Sequence, residues 1–409
     1  MTGGNEEKTG HGLETRRLYF YDSYQVEFET EIIQRGEREG RPAVALEATC
    51  FYPEGGGQPC DLGEIEGVRV IKVIEEDCLV WHLLEKELSA EKRRLRGKID
   101  WPRRYDHMQQ HSGQHLLSQV CWELGRAETL SFHLGEEVSS IELDKESLSA
   151  EEEERIERRA LELIFENRPV KTYFVSAEKA AAIPFRKKPV KTGELRVVEI
   201  ENYDFSACGG THVRSTGEVG LLKIVGQDKV RRHVRLLFLA GFRAWQDYRR
   251  KNQVLERVAA SFSVPYTQVE LALDKLKKEA RALRKKIQKT REELNEYEAG
   301  QLAAASSSGV ITRLFEDRTA EEARSLALKI IHRGKFIVLF GIRGELQDHF
   351  ILARSAEIPV DLTAWLPWLK ETLQARGGGR ESLIELVCPK QAPLTEAIKK
   401  IQEKIPPLI

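Results

Sequence analysis

Long apolar runs are absent from the 409 residues. No stretch approaches a membrane span, and the polar, glycine-rich start at residues 1–12 has no apolar signal core, so the expectation is a soluble protein with a frayed terminus. Charge of one sign is lacking too. With 64 Lys and Arg against 65 Asp and Glu the formal net charge is -1, which excludes a global positive field and leaves nucleic-acid contact to local basic patches. Cysteine is sparse. Cys50, Cys60, Cys78, Cys121, Cys208 and Cys388 are scattered without the close spacing of a disulfide scaffold, which predicts reduced thiols and a cytoplasmic location. The remainder suffices for real cores, since 41% of residues are hydrophobic, and the length predicts about two to four domains.

One stretch carries the chemistry. In Asp106-His107-Met108-Gln109-Gln110-His111-Ser112-Gly113-Gln114-His115-Leu116-Leu117, helical spacing stacks His111 and His115 on one face, while Leu116, Leu117 and Val120 anchor the helix. Far downstream, Cys208-Gly209-Gly210-Thr211-His212 uses glycines to curl the backbone so that a thiolate and an imidazole converge. A lone histidine pair is more often a satisfied surface or core feature. Together, however, His111, His115, Cys208 and His212 offer the nitrogen and sulfur donors that zinc prefers, and they predict a zinc-centred hydrolytic site. His107 offers an alternative pairing with His111, or a supporting role behind the ligands.

The chain then reads as four regions of an α+β protein. Short alternating runs such as Ala43–Ala48 and Gly67–Ile74 predict a small β-barrel or sandwich over 13–100, which contains Phe51-Tyr52-Pro53-Glu54-Gly55-Gly56-Gly57-Gln58-Pro59. In that segment Gly56 and Gly57 let a ligand approach the backbone. Mixed helices and strands over 101–243 predict an α+β metal-binding domain, in which Arg231 and Arg232, read on a strand edge, are candidates for phosphate contact. A helical arm over 244–302 includes a helix with a capping box at Thr267 and Glu270. Its seam of Val269, Leu273, Leu276, Ala280, Leu283, Ile287, Thr290, Leu294 and Tyr297 predicts a coiled coil, about 45 to 50 Å long, folded back on the preceding helix or paired with a second subunit. Ala303–Gly309 reads as a linker, and 310–409 as an α/β domain with a turn at Gly377-Gly378-Gly379-Arg380 suited either to phosphate or to plain connection.

These motifs resemble a known family. Phe51–Pro59, His111-x-x-x-His115, Cys208–His212 and Ser215-Thr216-Gly217-Glu218-Val219-Gly220-Leu221-Leu222-Lys223-Ile224 are similar, in the same order and spacing, to the editing half of alanyl-tRNA synthetases and to the free-standing AlaX editing proteins. The arm and the C-terminal region resemble the DHHA1 oligonucleotide-binding domain of the long AlaX forms. The resemblance implies a zinc hydrolase acting in trans on tRNA(Ala) mischarged with Ser or Gly, with no room upstream for a domain that charges tRNA. It makes His111, His115, Cys208 and His212 the metal ligands, and it puts Gln58 and its glycines at the lip beside the acyl-adenosine end. Ser131 becomes the residue that reads the seryl hydroxyl, with Thr211 behind it, and Arg380 an RNA contact. After Arg380 the sequence continues Glu381–Val387, away from the family's small-residue run, which leaves dimerisation or scaffolding open for that domain.

Four protein ligands would close a tetrahedral site, whereas catalysis wants an open position, so three firm ligands and one loose one are expected. Two other readings use part of the same evidence. A zinc hydrolase of other small esters needs the same ligands, but Ser112 occupies the slot in which the H-E-x-x-H pattern carries its base. A non-catalytic RNA-binding or dimerisation protein would keep the arm and the C-terminal domain and tolerate loss of zinc.

Overall fold

The computed structural model describes residues 14–189 and 193–405; the stretch 1–12 lies outside the described residues. Among the described residues no helix is long and apolar enough to cross a membrane, and all six cysteines are free. The architecture is mixed α and β, in two units that divide between Arg257 and Val258.

In the first unit, β1 (Glu27–Arg38), β2 (Arg41–Leu46), β3 (Gly63–Ile65), β4 (Val68–Glu76), β5 (Leu79–Leu84) and β6 (Arg94–Ile99) close into a barrel in the order β1-β2-β5-β4-β3-β6. Strand alternation explains the closure. In β6, Arg94, Arg96 and Lys98 face solvent while Leu95 and Ile99 enter a core shared with Val44, Leu46, Val70 and Leu84. Each such side chain contributes about 1.5–3 kcal/mol on leaving water.

The barrel hands the chain directly to α1 (Trp101–Gly125), which carries the histidine pair. Asp100 caps it by accepting from the Arg103 amide at 3.2 Å, Pro102 fits the first turn where no N–H is needed, and Arg126 in the left-handed conformation ends it. Thereafter β7 (Thr129–Leu134), β8 (Ser139–Leu143), α2 (Ala150–Phe165), β9 (Val170–Val175), β10 (Leu195–Ile200), β11 (Asp204–Ala207), β12 (Leu222–Val230) and β13 (His233–Ala240) form two antiparallel sheets, β12-β13-β8-β7 and β9-β10-β11. Against them α1 buries nearly its whole circumference, with Leu116, Leu117 and Val120 fully enclosed.

Two of its buried polar side chains are held by fixed partners. The Gln110 amide donates to the Ala240 carbonyl at 2.8 Å and accepts from its N–H at 3.0 Å. The Arg104 guanidinium, fully enclosed, donates to both Asp61 oxygens at 3.1 Å and to the Ser23 carbonyl at 2.8 Å, which pins α1 to the barrel.

Helix α3 (Gly241–Ser261) crosses the division between the units. In the second unit, α4 (Val269–Ala305) is followed by β14 (Val310–Phe315), α5 (Ala320–Ile331), β15 (Ile337–Ile342), β16 (Gln347–Arg354), α6 (Leu366–Thr372), β17 (Arg376–Arg380), β18 (Leu383–Pro389) and α7 (Leu394–Lys404). The sheet order is β14-β15-β16-β18-β17, with only β14 and β15 parallel. The expected α/β alternation therefore gives way to a mixed sheet, because β15-β16 and β17-β18 are hairpins.

Several local expectations are corrected here. Gly377–Arg380 is edge strand rather than turn: a Cβ on Gly379 would lie 2.2 Å from the Leu383 carbonyl oxygen, so the glycines serve close backbone approach to β18. Thr267 does not cap α4; a 3-10 turn at Tyr266–Gln268 intervenes, and Gln268 at the helix start makes no side-chain cap. Ala303–Ala305 remain helical, as alanine favours. Near its C-terminal end α4 buries Asn295 and Ala299, with Ala299 in a core shared with Leu326 of α5. Leu276, Leu283 and Ile287 of the seam stay exposed.

Candidate metal centre

Helical spacing and one tight loop bring the donors together. His111 and His115 stack on α1 with ring centroids 5.2 Å apart, and the loop after β11 delivers Cys208 and His212. Gly210 is required there, because a Cβ would sit 2.2 Å from Cε1 of His111. The Arg196 guanidinium holds the loop by donating to the carbonyls of Cys208 at 2.8 Å and Gly210 at 2.9 Å. As a result the donor atoms of His111, His115, Cys208 and His212 lie within 4.8 Å of one another, and the Cys208 Sγ is 3.4 Å from Nε2 of both His111 and His212.

The far sides of His111 and His212 are hydrogen-bonded, and that of His115 faces a carboxylate. The Gln58 Oε1 accepts from the Thr211 amide at 3.1 Å, so the same oxygen, 2.8 Å from Nδ1 of His111, also accepts there and leaves the Nε2 lone pair for the cluster. Ser112 Oγ lies 3.2 Å from Nδ1 of His212, and Asp204 Oδ2 lies 3.5 Å from Nδ1 of His115. Outer partners of this kind set ring orientation in metal sites. Three imidazole nitrogens and one thiolate, aimed at one point, fit a zinc ion by donor chemistry.

The electrostatics act differently on the donors. Burial opposes the thiolate, yet the imidazoles of His111 and His212 outweigh it and hold the Cys208 thiol well below its ordinary value. Burial, then the neighbouring His111, pushes His212 down to about 3, keeping it neutral. For His115, burial is outweighed by Asp204 and Cys208, which raise it to about 9. His107 stays outside the cluster: it is buried and pushed down to about 3 by burial and then by Arg103.

The cluster opens on one side. A cavity of about 470 Å³ is walled by Cys208 and His115, by Gly56 and Gly57 of the tight turn, and by Phe132 and Thr129 of β7. Arg186, Lys187 and Lys188 border it, with Arg186 paired to the buried Asp204 at 3.1 Å and Glu128 on the same wall.

Over 383 residues the chain is 28% identical to the "Alanyl-tRNA editing protein AlaX-L" of Pyrococcus horikoshii, covering 90% of this chain and 93% of that protein. Over 377 residues it is 30% identical to the "Alanyl-tRNA editing protein Aarsd1-A" of Xenopus laevis, covering 88% of this chain and 90% of that protein. The chain belongs to the alanyl-tRNA editing proteins. Residues 195–237 match the family model described as "Threonyl and Alanyl tRNA synthetase second additional domain". The "Alanine--tRNA ligase" of Pyrococcus furiosus is 28% identical over 410 residues, covering 95% of this chain and 43% of that protein.

Within this editing-family fold, the residues singled out from the sequence fall in different places. The four donors converge. Gln58 is buried, not a free lip: its amide braces His111 and donates to the Thr211 hydroxyl at 2.9 Å. That bond leaves Thr211 fully buried and off the cavity wall, so it does not stand behind Ser131 as a hydroxyl reader. Ser131 touches the rim, but it pairs with Glu142 and its Oγ donates to that carboxylate at 3.3 Å, on the outer face of β7. Alternation from the inward Phe132 turns Ser131 outward, and a bulge keeps Thr129 from following it. Ser131 pairs with Glu142 but Thr129 with Leu143, so Leu130 is the extra residue and Thr129 joins Phe132 on the inner face. Arg231 and Arg232 sit exposed in the two-residue turn between β12 and β13, not on a strand edge, and Arg380 is exposed on β17.

Sequence reasoning missed Thr129, Gln114, Asp204 and the basic run at Arg186. Only that run left a visible signal, the successive cations of Arg186-Lys187-Lys188.

Proposed function

We propose that the chain hydrolyses the ester of tRNA(Ala) mischarged with serine, and secondarily with glycine, acting in trans in the cytoplasm on tRNA released by the synthetase. One observation carries this reading: His115 and Cys208 belong both to the four-donor cluster and to the wall of the cavity, so the chemistry faces a space sized for an aminoacyl terminus. His111, His115, Cys208 and His212 would hold a zinc ion, which would supply Lewis acidity for the attack of water on an activated ester.

The chain's own groups do the rest. Gln58, Ser112 and Asp204 keep the rings oriented. Phe132, whose ring centroid is 5.6 Å from that of His111, walls the acyl pocket from solvent. Lys187 and Lys188 offer positive charge to the phosphates of the tRNA end. Thr129 adds its hydroxyl, bonded to Ser118 Oγ at 2.8 Å, to a polar pocket wall, and a site built for a polar group rejects an ester that lacks one. The exposed stretch of the α4 seam suits pairing with a second copy, which sedimentation would read directly.

The test is incubation of the purified chain with Ser-tRNA(Ala), Gly-tRNA(Ala) and Ala-tRNA(Ala), with a chelator and after zinc is restored. Fast release of serine, slow release of alanine, and loss with chelator are expected. Binding of all three without hydrolysis would leave a non-catalytic RNA-binding protein in its place.

A further inference from the structure

Gln114 precedes His115 on α1, is 3% exposed and borders the cavity. Its Nε2 donates to Ser118 Oγ at 2.8 Å, and the same oxygen accepts from the Thr129 hydroxyl at 2.8 Å. In this orientation the amide nitrogen is engaged. The opposite atom, Oε1, is buried and has no partner among the described residues. A buried, unmet carbonyl in a folded chain calls for an explanation, and a ligand that donates into the cavity provides one.

We propose that Gln114 is a specificity-determining residue whose Oε1 accepts the hydroxyl hydrogen of the seryl group. This deepens the proposed function and rests on it. The candidate donors on an aminoacyl ester are the α-ammonium, which seryl, glycyl and alanyl esters share, and the β-hydroxyl, which only seryl has. Reading the shared group selects nothing. Ser118 and Thr129 satisfy each other and can rotate when no hydroxyl arrives, so they penalise its absence weakly. An amide flip would let Ser118 donate to Oε1 but would only exchange an unmet oxygen for unmet N–H groups, so a polar group of Gln114 stays unmet when a smaller acyl group occupies the pocket. That is the condition under which a polar site rejects an analogue lacking the group.

The full chain and its Gln114→Met variant would be compared by kcat/KM on Ser-tRNA(Ala) and Gly-tRNA(Ala), with zinc content and melting temperature measured alongside. The variant is expected to lose about 10- to 100-fold on the seryl ester, with zinc retained. Its glycyl rate should stay within about threefold of the natural chain. Should Gln114→Met fold poorly, Ser118→Ala frees the amide and should lower the seryl to glycyl ratio in the same direction. Equal losses on both esters would overturn the proposal in favour of ammonium binding or simple packing, and so would no change on either. A natural chain inactive on both esters would instead bring down the proposed function itself, a result seen before any variant is made.

Discussion

Replacing Gln58 with alanine tests how the centre is held. The side chain makes three bonds: Oε1 to the Thr211 N–H at 3.1 Å, Oε1 to Nδ1 of His111 at 2.8 Å, and Nε2 to the Thr211 hydroxyl at 2.9 Å. At a net worth of about 1 kcal/mol each, with the buried Thr211 amide left unmet, Gln58→Ala should destabilise the chain by about 2–4 kcal/mol. The larger signature is in metal affinity. With no acceptor at Nδ1, His111 is free to change tautomer and to rotate, and loss of such a partner costs about 10- to 100-fold. Gln58→Glu keeps an acceptor at that position and should bind metal nearly as the natural chain does. The assay is competition with a chromophoric zinc chelator at neutral pH, read beside a thermal melt. If Gln58→Ala bound zinc as tightly as the natural chain while losing hydrolysis, the bracing argument would fail and Gln58 would act on substrate instead.

Other perturbations test separate links. Asp61→Ala strands the fully buried Arg104 and the Tyr52 amide that Asp61 accepts at 2.7 Å, so urea unfolding should show a loss of about 3–5 kcal/mol; a loss below about 1 kcal/mol would contradict the pinning of α1 to the barrel. His82, enclosed between Thr49 Oγ1 at 2.8 Å and the Val44 carbonyl at 3.2 Å, is pushed down to about 4 by burial. Because its folded pKa lies below its unfolded value, its contribution is complete above about pH 6.5 and is lost as the pH falls toward 4, at most about 3 kcal/mol. Urea midpoints between pH 7 and pH 4.5 should therefore shift less in His82→Gln than in the natural chain. On the pocket wall, Thr129→Val should lower seryl ester hydrolysis about tenfold or more while Ser131→Ala leaves it unchanged; the reverse order would refute the bulge-based assignment.

The donor set was legible because its signals are local: a four-residue helical spacing for His111 and His115, and glycines flanking a thiol and an imidazole for Cys208 and His212. What surrounds the donors was not, because it depends on register and on long-range packing. One extra residue in β7 decides whether Leu130 or Thr129 faces inward beside Phe132, and alternation alone cannot reveal a bulge. Gln58 was visible as part of a glycine-rich motif, but its role needs the turn at Gly55–Gln58 folded over the Cys208 loop. Composition misled at Gly377–Gly379, where glycines that read as a turn serve instead to seat an edge strand against β18.

The account depends most on one ion held jointly by α1 and the Cys208 loop. X-ray absorption at the zinc edge of the loaded chain measures that directly. Three nitrogen scatterers and one sulfur, with the sulfur lost in Cys208→Ser, is the predicted result; a shell of oxygens, or sulfur unchanged by that substitution, would contradict it.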